Sequence, residues 1–476
     1  MVKYLGLGIV IASVLLPGLG WADGPVDYGP ERYYLDLLKY DSNGNRVSDA
    51  AYQIVDIEDV SESYSGAVTA SVVDSADNVY FSAFRPDIGD SDENGLYSHD
   101  LYRVNTDGEI KTVAHLGSFG NLPTPVSLAL GPNDTPICLA GPFCTYDPYE
   151  TCTGIHIKCI DQWEVQFDAA ISATTTPLVV DSTGAVYVAG TSQGSSLDFL
   201  VIKYDSQGIQ QWVVKRDFNG NADQVTGLVL DSTENVIVAG ASDLGIGLLK
   251  LDPDGNEIWF AQPATTFSNV DTVDATAPLL DQGGNVVIAA YAIDTTGGDA
   301  PSYLTLYRFS PAGHLLWAYQ REPEVAGFAC SDSLRCIALD ENANVFTLAD
   351  VFRSGIYVYK IDQNGNLVWS SIMPPYGLEW ALAVDKNGNV WTANNTLDNH
   401  DLEGYQTAKL DHNGTVVWTD FFRPTDSTMT YPEAILFDSS NDALIVGGHE
   451  YSDFGGLSGS SDDGQGHHHT GCGCGS

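Results

Sequence analysis

Apolar and polar residues alternate with period two in short runs along this chain, and each run is broken by an Asp-led turn. One set of runs ends in small residues: SVVDSADNVYFSA (Ser71 to Ala83), LVVDSTGAVYVAG (Leu178 to Gly190), LVLDSTENVIVAG (Leu228 to Gly240) and LAVDKNGNVWTAN (Leu382 to Asn394). A second set ends in Trp: KYDSQGIQQW (Lys203 to Trp212), KLDPDGNEIW (Lys250 to Trp259), KIDQNGNLVW (Lys360 to Trp369) and KLDHNGTVVW (Lys409 to Trp418), with RFSPAGHLLW (Arg308 to Trp317) carrying Ser310 for the Asp. Period-two alternation rich in Val, Ile, Tyr and Trp predicts β-hairpins. The Asp side chain accepts a backbone N–H inside each turn and the Gly accepts positive φ, so these turns set hairpin geometry without a ligand.

With the first set named A–B and the second C–D, A–B turns begin at Asp74, Gly131, Asp181, Asp231, Asp281, Asp340, Asp385 and Asp438. C–D turns begin at Asp41, Asn105, near Asp161, then at Asp205, Asp252, Ser310, Asp362 and Asp411. Eight of each alternate, at about fifty residues per pair. Four antiparallel strands per unit predict an all-β fold, a β-propeller of eight four-stranded blades, with seven as the alternative if a degenerate pair such as that near Asp161 is miscounted. The chain opens with a C–D hairpin (Tyr34 to Val47) and finishes with an A–B hairpin (Ile435 to Gly448). These two halves are expected to pair and close the ring.

Six of the nine tryptophans, Trp163, Trp212, Trp259, Trp317, Trp369 and Trp418, fall at the outer-strand position and read as wedges between blades. A basic residue precedes each C–D turn: Lys39, Arg103, Lys158, Lys203, Lys250, Arg308, Lys360 and Lys409. Period two puts Lys203 on the face of Asp205, so a repeated ion pair with a turn Asp is expected, and a ring of cations for an anionic ligand is the alternative.

The strings VDSTGAVYVAG and LDSTENVIVAG, followed by a Lys-x-Asp-x-x-Gly turn, resemble the SBBP-type repeat of exported bacterial β-propellers over about Tyr33 to Glu450. The resemblance implies the fold and leaves activity open. The Gly-x-x-x-Trp ending also resembles the tryptophan-docking motif of pyrroloquinoline-quinone dehydrogenase propellers. Here the Asp-to-Gly spacing is one residue shorter, and no adjacent Cys-Cys pair is present.

At the N-terminus, Lys3, an apolar run from Leu5 to Leu16 and the small-residue exit Gly20-Trp21-Ala22 read as a signal peptide over 1–22. The expected domains are therefore 1–22 signal, 23–454 propeller and 455–476 tail, in a secreted or periplasmic protein with no membrane span and a monomeric state. The formal charge of −43 becomes −44 once Lys3 is removed, which argues against nucleic acid as a partner. An oxidising compartment would let the cysteines pair. The expected bridges are Cys138 with Cys159, Cys144 with Cys152, and Cys330 with Cys336, although the four clustered cysteines allow three connectivities.

The tail is Gly-, Ser- and Asp-rich and ends with His467, His468, His469, Cys472 and Cys474 on a flexible chain, a donor set suited to Zn²⁺ or Cu⁺. A covalent or export-related role for Cys472 and Cys474 is the alternative. Asp252 to Asn256 and Asp411 to Gly414 resemble calcium loops but lack the further spaced carboxylates, so plain turns are expected, with weak Ca²⁺ binding left to acidic loops such as 87–93. Histidines within the propeller are scattered and read as surface residues, and no nucleophile elbow, phosphate loop or His-Glu-x-x-His helix is present. The leading expectation is a non-catalytic propeller binding a protein or glycan through rim loops 87–99, 141–154 and 293–302. The alternative is an extracellular polysaccharide hydrolase or lyase with paired carboxylates at the central channel.

Overall fold

The computed structural model describes residues 31–452 except 58–66, 88–95, 120–125, 141–152, 160–162, 173–176, 194–196, 218–222, 243–244, 264–269, 295–301, 322–324, 329–335, 352–354, 374–379, 398–402 and 425–428. The predicted signal segment and the His/Cys tail lie outside the described residues. Among those described, the chain is all-β, a propeller of four-stranded blades. A representative blade runs Asp223–Leu230, Val236–Ser242, Gly245–Leu251 and Glu257–Ala261 from the innermost strand outwards. Its two middle strands are buried on both faces, whereas the outermost strand is partly exposed.

Hydrogen bonding divides the described strands into seven sheets, the number given by the alternative count. One of the seven is eight-stranded and contains two four-stranded units. The end of Trp163–Ser172 runs on to pair with Val186–Gln193 through only Ile171↔Ser192 and Ser172↔Thr191, joining one unit to the next. Those two residues supply the upper half of an inner strand whose lower half is Leu178–Val180. Counted as four-stranded units, there are eight.

Packing follows the units. Eight hydrophobic clusters are found among the described residues, each filling the space between two neighbouring units. Alternation explains this, because odd and even positions of a middle strand enter different clusters: Ile237 and Ala239 face one neighbour, and Val236 and Val238 the other. Each fully buried Val, Leu or Ile contributes roughly 1.5–3 kcal/mol.

The two ends of the chain share a sheet. Glu31–Tyr40 pairs on one side with Arg46–Ile57 and on the other with Ala443–Ser452, in unbroken register from Glu31↔Ser452 to Tyr40↔Ala443. Met429–Phe437 completes this blade as its inner strand. Leu35, Leu444 and Val446 pack to one side of it, and Leu38, Tyr40, Ile435 and Ile445 to the other.

Strand direction also gives the disc two unlike faces. A–B and C–D turns lie on one face and are short, and the B–C and D–A connections leave from the other. Glu31 and Ser452 end on that second face too.

Candidate functional site

The repeated turn is built by its Asp. In the turn at Asp252, Oδ1 accepts the backbone N–H groups of Asp254 (3.0 Å) and Asn256 (2.8 Å), and Oδ2 accepts the Asn256 side chain (2.9 Å). Asp411 likewise accepts the N–H groups of Asn413 and Thr415, both at 2.9 Å. These bonds hold both carboxyls below their usual range, led at Asp252 by the Asn256 side chain and at Asp411 by the Thr415 amide. Turn N–H groups thus engage Oδ1 of both residues, the role of a plain turn-former.

Gly at the fourth position has a second role. Every described C–D turn has Gly there at positive φ, from Gly44 to Gly414, whereas only three A–B turns do (Gly184, Gly284 and Gly388) and four place Asp77, Glu234, Ala343 or Asn441 in the same left-handed conformation. The difference lies in what is stacked above. A Cβ on Gly208, Gly255, Gly313, Gly365, Gly414 or Gly44 would meet the indole of the preceding unit's Trp at 2.6–2.9 Å, while one on Gly388 would find nothing nearer than 4.0 Å. Trp163, Trp212, Trp259, Trp317 and Trp369 each donate Nε1–H to a carbonyl of that same next turn, at 2.9–3.0 Å. The wedge expectation therefore holds. In the closing blade Tyr52 takes the place of the Trp, donating its hydroxyl to Gly108 at 3.0 Å.

The basic residues pair with a turn Asp, but with the one in their own blade's A–B turn rather than in the C–D turn beside them. Lys250 Nζ lies 2.7 Å from Asp231, Lys409 3.4 Å from Asp385, Lys360 3.6 Å from Asp340 and Lys39 2.6 Å from Asp438, and Arg308 binds Asp281. The same ammonium then donates across the blade boundary to the carbonyl that the Trp uses: Lys250 and Trp259 both reach Pro311 O, and Lys360 and Trp369 both reach His412 O. Lys203 departs from the pattern, donating to Pro253 O at 3.0 Å and lying over the Tyr187 ring at 4.7 Å. Cations bound to the protein's own carboxylates and carbonyls are poorly placed to hold an anionic ligand.

Towards the axis, the innermost strands approach their turns through aliphatic residues: Val72-Val73, Val179-Val180, Val229-Leu230, Leu279-Leu280, Ala338-Leu339 and Ala383-Val384. That half of these strands carries no acid or base, whereas the other half carries Asp223 and Glu433.

One carboxylate group was not legible in the sequence. Asp198, Asp217 and Asp223 bring ligand oxygens within 4.8 Å of one another on the face of long connections, with Lys215 Nζ 2.8 Å from Asp198. The three come from two adjoining blades and have no local spacing that would mark them. They could hold a hard cation such as Ca²⁺, with Lys215 already neutralising part of the charge.

Two histidines depart from the surface expectation. His99 is buried, and desolvation pushes it down to about 4. His449 is buried against Asp36, with Nδ1 at 2.7 Å from Oδ2. Of the predicted bridge residues, Cys138 is buried, but its register partner is Lys158 while Cys159 lies opposite Ile137, so Cys138 and Cys159 are one position out of step. Cys336 is buried; Cys144, Cys152 and Cys330 lie outside the described residues, as do His467, His468, His469, Cys472 and Cys474 and most of the three rim loops.

No protein-family profile matches the chain, and no curated protein is similar to it in sequence. Solved structures with a similar fold include a protein from Lactobacillus plantarum at 13% identity, covering 73% of this chain and 98% of that one with a TM-score of 0.41. A luciferin-regenerating enzyme matches at 14% identity over 60% of this chain and 93% of its own, with a TM-score of 0.33. An apocarotenoid oxygenase from Synechocystis matches at 12% identity over 85% and 95%, with a TM-score of 0.40. Likeness at this level carries nothing about activity. Among the described residues no helix is long and apolar enough to cross a membrane.

Proposed function

We propose that this chain is an exported propeller that binds a protein or glycan through the loops of one face. The supporting observation is the inequality of the two faces. The A–B and C–D turns are short and held by their own Asp side chains, so that face has little freedom to vary. The connections 88–95, 141–152 and 295–301 all join a B strand to a C strand, and the described strands flanking them end on the opposite face, as do Glu31 and Ser452. Irregular loops on a rigid scaffold are where recognition concentrates.

On this reading the His467–His469 and Cys472–Cys474 tail adds a Zn²⁺ or Cu⁺ site. The SBBP-type relationship, the signal peptide and the Cys330–Cys336 bridge belong to the same proposal.

Arrays of immobilised extracellular polysaccharides and secreted proteins, probed with the full chain, test it. The expected result is a ligand whose binding is lost when 88–95 and 141–152 are replaced by short Gly-Ser links, with the melting temperature kept within a few degrees. Release of reducing ends from any polysaccharide by the wild-type protein would overturn it. The tail is tested separately by titration calorimetry with Zn²⁺ and Cu⁺, comparing the full chain with one ending at Gly455. High-affinity binding is expected only in the former, and equal affinity in both would refute the tail site.

A further inference from the structure

The seam between the first and last strands contains a buried charge that no Lys or Arg among the described residues compensates. Asp36, on the first strand, is 1% exposed. Its Oδ2 receives the Tyr405 hydroxyl at 2.8 Å and lies 2.7 Å from His449 Nδ1. Its Oδ1 is buried with no hydrogen-bond partner among the described residues. His449, on the last strand, stacks on Tyr34 with ring centroids 4.6 Å apart, and Tyr405 also donates to Gly448 O at 2.6 Å. One carboxylate therefore joins the first strand, the last strand and the neighbouring blade.

The surrounding described elements do not supply a fixed cation. From the first strand come Tyr34 and Asp36, from the last His449, and from Glu403–Leu410 come Glu403 and Tyr405; Met429–Phe437 brings Tyr431 and Glu433. The facing residue on Arg46–Ile57 is Ala51, which carries no charge. Lys39, the basic residue of this strand, is engaged with Asp438 and Asp442 towards the other face of the disc. A buried carboxylate without a cationic partner is costly. The pair is neutralised in place when the carboxyl takes up one proton, which Oδ2 can share with His449 Nδ1 at 2.7 Å.

We propose that Asp36, His449 and Tyr405 form a proton-dependent clasp that tightens the closing blade under mildly acidic conditions. The sign follows from linkage. Burial pushes the Asp36 carboxyl up, outweighing the opposing effects of His449 and Tyr405. A group whose folded value is raised adds stability that is present at low pH and lost as pH rises through the folded value. The pair thus behaves opposite to the turn aspartates, whose carboxyls are held down. This inference does not depend on the ligand proposed above.

Hydrogen exchange on the full chain, corrected for intrinsic exchange rates, tests it between about pH 8 and about pH 4, a range lying above the ordinary carboxyl value. Protection of peptides covering 34–40 and 443–449, relative to peptides within 236–251, is expected to rise as pH falls, by up to about tenfold per pH unit for one linked proton. Asp36→Asn should abolish that rise. His449→Gln, which keeps the carboxylate and removes the ring nitrogen that shares its proton, should weaken the rise and serves if Asp36→Asn fails to fold. A flat wild-type profile, or an unchanged slope in a folded variant, overturns the proposal.

Discussion

Lys250→Met destabilises the protein by about 3–5 kcal/mol, the range for removing one partner of a buried ion pair. The methionine replaces most of the side-chain volume, so the loss is electrostatic. Lys250 and Asp231 side chains are 7% and 11% exposed, and without the ammonium the Asp231 carboxylate stays buried with only neutral donors, Asn235 and Thr233. The bond from Lys250 to Pro311 O, across the blade boundary, goes as well. By contrast Arg216→Met, whose side chain and whose partner Glu257 are 38% and 44% exposed, costs about 0–1 kcal/mol. Urea denaturation of both variants measures the difference, and equal midpoints would refute the role given to the buried pairs.

The Lys250 effect depends on pH with a defined sign. Burial pushes the Asp231 carboxyl up, but bonds from Lys250, Asn235 and Thr233 together outweigh it and hold the carboxyl well below the usual range. A depressed folded value adds stability above the unfolded value, about 3.9, and that stability is lost as pH falls through the folded value. Without Lys250 the buried carboxyl takes up a proton more readily. The gap between wild type and Lys250→Met should therefore be full at pH 7 and narrow below about pH 4.

Gly414→Ala costs about 2–4 kcal/mol. The left-handed backbone at φ +81° is unfavourable for alanine by about 1 kcal/mol, and overpacking adds about 1–3. The new methyl would lie 2.6 Å from the Trp369 ring and 2.8 Å from Ser371 Oγ. Gly388→Ala, at φ +74° with open space above it, should cost only the backbone share. A double-mutant cycle separates the contributions. With Trp369→Ala in the background, the Gly414→Ala penalty should fall towards that of Gly388→Ala, because the ring it strikes is gone. Full additivity would mean the indole is not the obstacle.

Much of this was legible in local patterns. Period-two alternation and the Asp-x-x-Gly turns specify hairpins from residues within about ten positions of one another, and their alternation specifies the propeller. The turn aspartates were readable as turn-formers because the amides they accept lie two and four residues on. The partner of each Lys was not, because Lys250 and Asp231 belong to different hairpins and meet only when two strands of the blade pair. His449 looked like a surface residue because the charge that meets it, Asp36, is 413 positions away. The Asp198, Asp217 and Asp223 group escaped notice for the same reason on a smaller scale.

The sequence by itself determined a repeating four-stranded β-unit, the turns that shape it, and the Trp and basic positions that recur in it, since each depends on short-range backbone geometry and side-chain alternation. Tertiary structure alone decided which carbonyl each Trp and Lys shares, why Gly must lie beneath each indole, how two units merge into one sheet, and that a buried carboxylate sits where the chain's two ends meet. Those outcomes depend on desolvation and close packing between residues far apart in the chain, which become defined only when the blades are set side by side.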